Sequence, residues 1–322
     1  MKYLTLTLIG LLLLSCNTSG DQRLISNSSG NINVLSVVVD NLLWEEQVGE
    51  TIREVLAAPI YGLPQPEPTF SLRQMPPQIF TDFATRNRTV FKVEKGKDSD
   101  LKILKNVYAK PQTVVLVTGN TNSEIIDQIN QNKERIISAF KTEEIKERQR
   151  RTKISPHKTP NIQNALNLNI TFPSAYRIAQ EDNGFFWLRR DIKTGTINLL
   201  LYELPLDSTI VDESSINEII KIRDSIGKKY VPGPVEGTFM ITEEAYTPFV
   251  SKTIIDNKPT LVTRSTWEVK NAFMAGPFIN YIIEDKQNNR FVVAEGFTYA
   301  PSVDKRDYMF ELESIIRSIQ IN

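Results

Sequence analysis

The chain has 322 residues, with 38 Lys+Arg against 38 Asp+Glu, one His and one Cys. One Cys closes no intramolecular disulfide, one Cys with one His builds no Cys/His zinc site, and any His-dependent triad must run through His157. A net charge of zero argues against a nucleic-acid partner, which needs surplus Lys/Arg to displace counterions.

The chain opens with Lys2 and an apolar run over residues 4–14. That run is too short for a bilayer core, which takes about 20 residues, and fits the h-region of a secretory signal. Leu13-Leu14-Ser15-Cys16 follows, similar to the lipobox of bacterial lipoproteins. The resemblance implies a signal peptide over 1–15, cleavage before Cys16, and lipid on both its sulfur and its new amino group. An ordinary signal peptide with an incidental Cys is the alternative. Residues 16–33 then read as the lipidated Cys and a flexible tether rich in Asn, Ser and Gly. Several acyl chains hold stably where one does not. Asn17, where Asp would imply inner-membrane retention, points to an outer-membrane lipoprotein, with the periplasmic side expected from the lack of an acidic cluster.

A β-branched run over 34–39 reads as a buried strand. Asp40 or Asn41 caps a helix with Trp44, Val48, Ile52 and Val55 on one face. Pro59 and Gly62 end it, and Pro64, Pro66 and Pro68 force an extended path into a strand over 70–74. A short helix after Pro76-Pro77, a strand over 90–93 and a hairpin of 101–108 with 113–118 follow. Thr121 to Glu124 is a capping box for a helix bearing Ile125, Ile129, Ile136 and Phe140. Its polar far end, 142–153, reads as solvated. Residues 151–161 contain two Pro and read as a linker.

The second half is richer in strands: 166–172, 175–179, 184–190 and 196–202. A helix capped at Ser215 is expected to stop at Gly227, before a rigid loop over 230–237. Strands over 238–242, 247–255, 260–269, 278–284 and 291–299 follow, with an Asp256-Asn257 turn suited to a hairpin. Asp304 is expected to cap a last helix with Met309, Leu312, Ile316 and Ile319 inward. The expectation is an α+β protein of two domains, 34–150 and 162–322, each a mostly antiparallel mixed sheet with packed helices.

Asp40-Asn41-Leu42-Leu43-Trp44, Gly62-Leu63-Pro64, Glu67-Pro68, Arg223-Asp224-Ser225-Ile226-Gly227, Tyr230-Val231-Pro232-Gly233-Pro234, Trp267-Glu268-Val269-Lys270-Asn271, Gly276-Pro277-Phe278 and Ala300-Pro301-Ser302 occur in this order. With these motifs the chain resembles a family of uncharacterised Bacteroidetes lipoproteins, catalogued as domain of unknown function 4837. The resemblance spans the chain after the leader. It implies an envelope protein with a lipid anchor, and no activity or catalytic residues.

Signatures of chemistry are few. There is no Gly-x-Ser-x-Gly elbow, Walker loop or Gly-x-Gly-x-x-Gly. His157 falls in the linker and reads as solvated. Glu243-Glu244 is a weak candidate for carboxylate chemistry, and residues 207–213 approach a calcium loop without its spacing. The basic end at 146–153 reads as a solvated helix end or a contact for anionic headgroups. The candidate interaction residues are Pro64 and Pro66, Tyr230 and Pro232 in two proline-rich loops, the pair Arg189-Arg190 as an anion contact, and Trp267, an aromatic with polar neighbours such as sugar sites use. No cofactor or metal is expected. The expected partners are the membrane, through acyl chains on Cys16, and an envelope protein or glycan. The functional expectation is a lipid-anchored, non-catalytic binding or scaffolding protein. A carboxylate-dependent glycan hydrolase and a carrier of a small molecule or lipid are the alternatives.

Overall fold

A computed structural model describes residues 25–158, 160–206 and 212–322. Cys16 with most of its tether, and most of 207–213, lie outside them. The first domain comprises β1 Val34–Val38, α1 Asn41–Glu45, α2 Gln47–Leu56, β2 Ser71–Met75, β3 Thr89–Lys95, β4 Asp100–Lys105, β5 Thr113–Gly119, α3 Asn122–Gln131 and α4 Lys133–Thr152. Its sheet runs β2-β1-β3-β5-β4. The mostly antiparallel sheet expected here is corrected: β1, β2, β3 and β5 pair in parallel, and only the β4–β5 hairpin is antiparallel. Continuous apolar runs such as those in β1 and β5 are what parallel strands covered on both faces require.

Asp40 caps α1, its carboxylate accepting from Leu42 N at 3.0 Å. The single helix expected after it breaks at Glu46 into α1 and α2. A Cβ on Gly49 would lie 1.9 Å from the Trp44 carbonyl, so the tight join between them needs glycine.

The second domain comprises α5 Pro160–Leu166, β6 Arg177–Asp182, β7 Phe185–Ile192, β8 Gly195–Pro205, α6 Ile216–Tyr230, β9 Met240–Thr242, β10 Phe249–Ile255, β11 Lys258–Val269, β12 Ala272–Asp285, β13 Arg290–Tyr299 and α7 Arg306–Ile316. Its eight-stranded sheet is antiparallel throughout, in the order β9-β11-β12-β13-β8-β7-β6, with β10 also on β11. Asp256 and Asn257 both take positive φ, 50° and 59°, as a tight hairpin between β10 and β11 requires. One face of the sheet packs on α5 and α7 through Phe186, Leu199, Ala294, Leu312 and Ile316. The other packs on α6 through Leu200, Tyr202, Val293 and Ile219. The molecule is therefore α+β with two domains.

Three local expectations change. The strand expected from residue 166 gives way to α5 and a two-residue strand, Leu168–Asn169, paired with Gln320–Ile321. Helix α6 runs past Gly227 to Tyr230. Gly227 is there because a Cβ would sit 2.1 Å from the Met240 carbonyl, not to end the helix. Asp304 does not cap α7. Glu67 of the first domain does, its buried carboxylate accepting from Lys305 N at 2.8 and 2.9 Å and Arg306 N at 2.7 Å.

The loop that carries Glu67 is a clamp between domains. Leu63 is buried in the second domain's core, and a Cβ on Gly62, which has φ +82°, would approach Ser265 N to 3.0 Å. Helix α4 forms the rest of the seam. Its far end, expected to be solvated, buries Glu143, Glu144, Ile145 and Glu147. Glu144 holds Arg88 at 2.8 Å and accepts from Asn33 N at 2.7 Å. Arg148 pairs with Glu311 and Lys141 with Glu313 at 2.9 Å, both acids on α7. Glu311 also meets Arg190 at 3.2 Å and accepts from Tyr176 Oη at 2.8 Å. Glu313 also meets Arg264 at 3.0 Å and Arg317 at 3.1 Å, and accepts from Tyr281 Oη at 3.1 Å. A polar helix end is buried because each of its acids finds a cation there.

Glu67→Ala should destabilise the protein by about 1–2 kcal/mol, the upper range for a lost helix cap, while Asp304→Ala should stay within about 0.5 kcal/mol. Urea unfolding of both variants checks the assignment. Acid should loosen the same seam. Burial alone would raise the Glu313 carboxyl, but Arg264, Lys141 and Arg317 hold it well below the ordinary range. Glu147 likewise is held at about 2, with Arg150 and Arg151 overcoming its burial. Carboxyls depressed in the folded state contribute stability that is present above their unfolded value of about 4.3 and lost as pH falls through the folded value. The urea midpoint should be flat from pH 7 to 5 and fall below pH 4, and Glu313→Gln should shallow that fall.

Candidate functional site

On β7, Trp187, Arg189 and Asp191 alternate with Leu188 and Arg190, so only the first three share the α6 face of the sheet. Antiparallel register lays residues of β8 and β13 beside them. Arg189 stands opposite Asn198, which stands opposite Phe297. Asp191 stands opposite Thr196, which stands opposite Tyr299. Helix α6 covers the part of this face around Leu200 and Tyr202 and ends at Tyr230. Its anchor is Arg223, buried against Glu295 at 2.9 Å and over the Phe278 ring at 3.8 Å. Beyond the helix end the sheet is open, leaving a groove of about 560 Å³.

The floor is aromatic. Trp187 and Tyr299 are half-buried there, and Phe297 and Trp267 lie beneath them. Trp267 meets Phe297 edge-on at 5.6 Å and Tyr299 at 6.3 Å, and Trp187 meets Phe297 at 6.3 Å. Polar groups are set among the rings. Trp187 Nε1 donates to Asn198 Oδ1 at 3.0 Å, and Asn198 Nδ2 donates to Thr196 Oγ1 at 3.0 Å. Arg189 Nε donates to Asp191 at 2.9 Å. Trp267 Nε1 is buried and has no hydrogen-bond partner among the described residues. A buried donor left unpaired costs about 1–3 kcal/mol.

The roof is the loop after α6. Gly233 N donates to Thr238 O at 2.8 Å and Met240 N to Val231 O at 3.0 Å, which fixes Pro232 and Pro234 along one side. A side chain at Gly233 would collide with Thr238 Oγ1 at 2.3 Å. Phe273, the chain neighbour of the groove-lining Met274, projects fully into solvent.

The structure thus brings Arg189, Pro232 and Trp267 together in one groove. Tyr230 stands next to it, stacked on Phe185 at 3.9 Å. Arg190 is on the opposite face with Glu311, over the Tyr176 ring, so the two arginines do not make one anion contact. Pro64 and Pro66 are exposed on the seam loop, away from the groove lining. Trp44 is half-buried with the Arg53 guanidinium over its ring. His157 is half-buried and stacked on Phe172 at 5.1 Å. The cations of 148–151 are paired with Glu311 and Glu147. Glu243 and Glu244 lie near Glu268, whose carboxyl is raised by burial and by these two like charges. None of the three lines the groove.

Sequence reasoning missed Asp191, Asn198, Phe297 and Tyr299, and read Trp187 as part of an apolar core run. The signal for Asn198 was available: a two-residue turn at Lys193-Thr194 sets the register that puts it opposite Arg189. Among the described residues no group of three or more His, Cys, Asp or Glu side chains is placed to hold a metal, and no helix is long and apolar enough to cross a membrane.

Among curated proteins, none matches the chain. Solved structures match it weakly. One is a crystal structure from Bacteroides thetaiotaomicron, 12% identical over 48% of this chain and 45% of that one, with TM-score 0.28. The chain therefore spans less than half of that relative. Another is the Saccharomyces cerevisiae Ran-binding protein Mog1p, 8% identical over 48% and 89%, with TM-score 0.33. A third is LpqN, involved in cell envelope biogenesis of Mycobacterium tuberculosis, 10% identical over 48% and 82%, with TM-score 0.29. Residues 28–153 match a second family model, domain of unknown function DUF8532, so the motifs quoted from the first half belong to a separate family unit. Residues 155–318, just over half of the chain and the whole of the groove-bearing domain's sheet, match the model for domain of unknown function DUF4837, and the chain belongs to that family.

Proposed function

We propose that the chain is a lipid-anchored protein of the cell envelope that binds a glycan in the groove of its second domain and carries out no catalysis there. The observation that carries this reading is the convergence of Trp187, Trp267, Phe297 and Tyr299 with Asn198, Arg189 and Asp191 on one groove of about 560 Å³. Aromatic faces pack against the C–H faces of sugars, while amide, guanidinium and carboxylate groups pair with hydroxyls.

Hydrolysis of a glycan calls for two carboxyl groups flanking the bond. Among the described residues Asp191 is the only carboxylate lining the groove, and it is engaged by Arg189. That favours binding over cleavage. Anchoring rests on Cys16 and its lipobox-like context, with the outer membrane as the proposed site and its periplasmic face as the side on which the body works.

Titrating soluble peptidoglycan fragments and chitooligosaccharides against tryptophan fluorescence should give saturable binding. Trp187→Ala should weaken it about tenfold, or about 1.4 kcal/mol, with the far-ultraviolet circular dichroism unchanged. Equal binding by the variant would sink the groove assignment. Separately, Cys16→Ala should abolish metabolic labelling with fatty acid and release the protein from the membrane fraction. Labelling that persists would rule out the anchor.

A further inference from the structure

A second cavity, of about 230 Å³, lies along the seam between the domains. Ile60, Phe70 and Ile137 of the first domain and Met309 and Phe310 of α7 supply its apolar walls. Tyr61 and Phe249, one from each domain, pair at 5.0 Å on its lining, and both are exposed, at 66% and 44%. They form an aromatic mouth.

Its charges do not balance. Lys141, Arg264 and Arg317 share the single carboxylate of Glu313, and Arg306 pairs with Asp307. Of the charges that line the cavity, three are the cations Lys141, Arg264 and Arg306 and one is the Glu313 carboxylate; Arg306 is also held by Pro68 O and Ser71 Oγ, which leaves Lys141 and Arg264 to share Glu313. Arg264 donates to Glu313 through Nη2 alone, and its other nitrogens make no hydrogen bond among the described residues. Burial pushes the Lys141 ammonium below its ordinary range, with Glu313 opposing the shift. Surplus cations in a largely apolar recess are costly unless an anion completes them.

We propose that the seam cavity binds a medium-chain carboxylate amphiphile, its head on Lys141 and Arg264 and its chain along Phe70, Ile137, Met309 and Phe310. The volume is below the roughly 300 Å³ at which pockets for drug-sized ligands begin, which restricts the occupant to one chain of no more than medium length. Both domains supply walls, so the ligand binds the assembled seam and not the unfolded chain. Occupancy therefore raises the unfolding midpoint. This site is independent of the aromatic groove.

The test is calorimetric titration of octanoate, and of octylammonium as the opposite charge, into the full chain in lipid nanodiscs, with empty nanodiscs subtracted. The expected result is one saturable octanoate site and none for octylammonium. Lys141→Met should weaken octanoate at least tenfold, and Lys270→Met, which removes an exposed cation elsewhere, should not. Tyr61→Ala alters only an exposed side chain at the mouth and should weaken octanoate several-fold, which keeps the test decisive if Lys141→Met fails to fold. Equal binding of both amphiphiles, no saturable octanoate binding, or wild-type affinity in both Lys141→Met and Tyr61→Ala would overturn the proposal. So would a loss in Lys270→Met as large as that in Lys141→Met.

Discussion

The N-terminus of α7 is completed by a carboxylate from the other domain, and much else follows from that contact. Glu67 takes the Lys305 and Arg306 amides, so the last helix of the chain is capped only when the two domains are docked. Further along, Glu311 and Glu313 reach α4 from two sides of the same helix, where Arg148 and Lys141 meet them. Each acid is buried and each would be expensive alone, so the pairs act as a condition on docking. A side chain lost on one side leaves a charge stranded on the other. The domains are thereby coupled through one helix, although their sheets are separate and differ in strand direction.

Helix α7 and helix α6 divide the second sheet between them. Helix α7, with α5 beside it, covers one face through Met309, Leu312, Ile315 and Ile316. Helix α6 covers only part of the other. Arg223 pins it over Glu295 and Phe278, and Gly227 brings it close to Met240, so its end falls where the sheet is still unfilled. The groove is the surface left over, and its aromatic floor would be an exposed liability without the loop over 231–234 beside it.

Much of this architecture was legible in the residue pattern. Capping by Asp40 and Thr121, the Asp256-Asn257 hairpin and the strands of the second sheet all follow from local signals. Strand direction in the first sheet was misread, although the continuous apolar runs of 34–39 and 113–118, in place of an alternation, carried the signal for parallel strands covered on both faces. Gly227 read as a helix stop and Gly49 as no signal, yet both are needed for one reason: a carbonyl approaches each from another element. Of the groove, Trp267, Arg189 and Pro232 could be picked from composition alone, whereas Arg190 was wrongly grouped with its neighbour because adjacent strand residues face opposite sides.

By itself the sequence determined the short-range features: a leader-like apolar run ending at Cys16, two α+β units, most helix starts, and membership of the resembled family over the second unit. Local propensity and short-range hydrogen bonding suffice for these. What the tertiary structure decided is where charge goes. The polar end of α4 looks solvated in sequence and is buried in fact, because its partners, Arg88, Glu311 and Glu313, lie far away along the chain. Ion pairs between distant residues leave no periodicity to read. Their positions emerge only when two domains are brought together and every buried charge must find its counterpart.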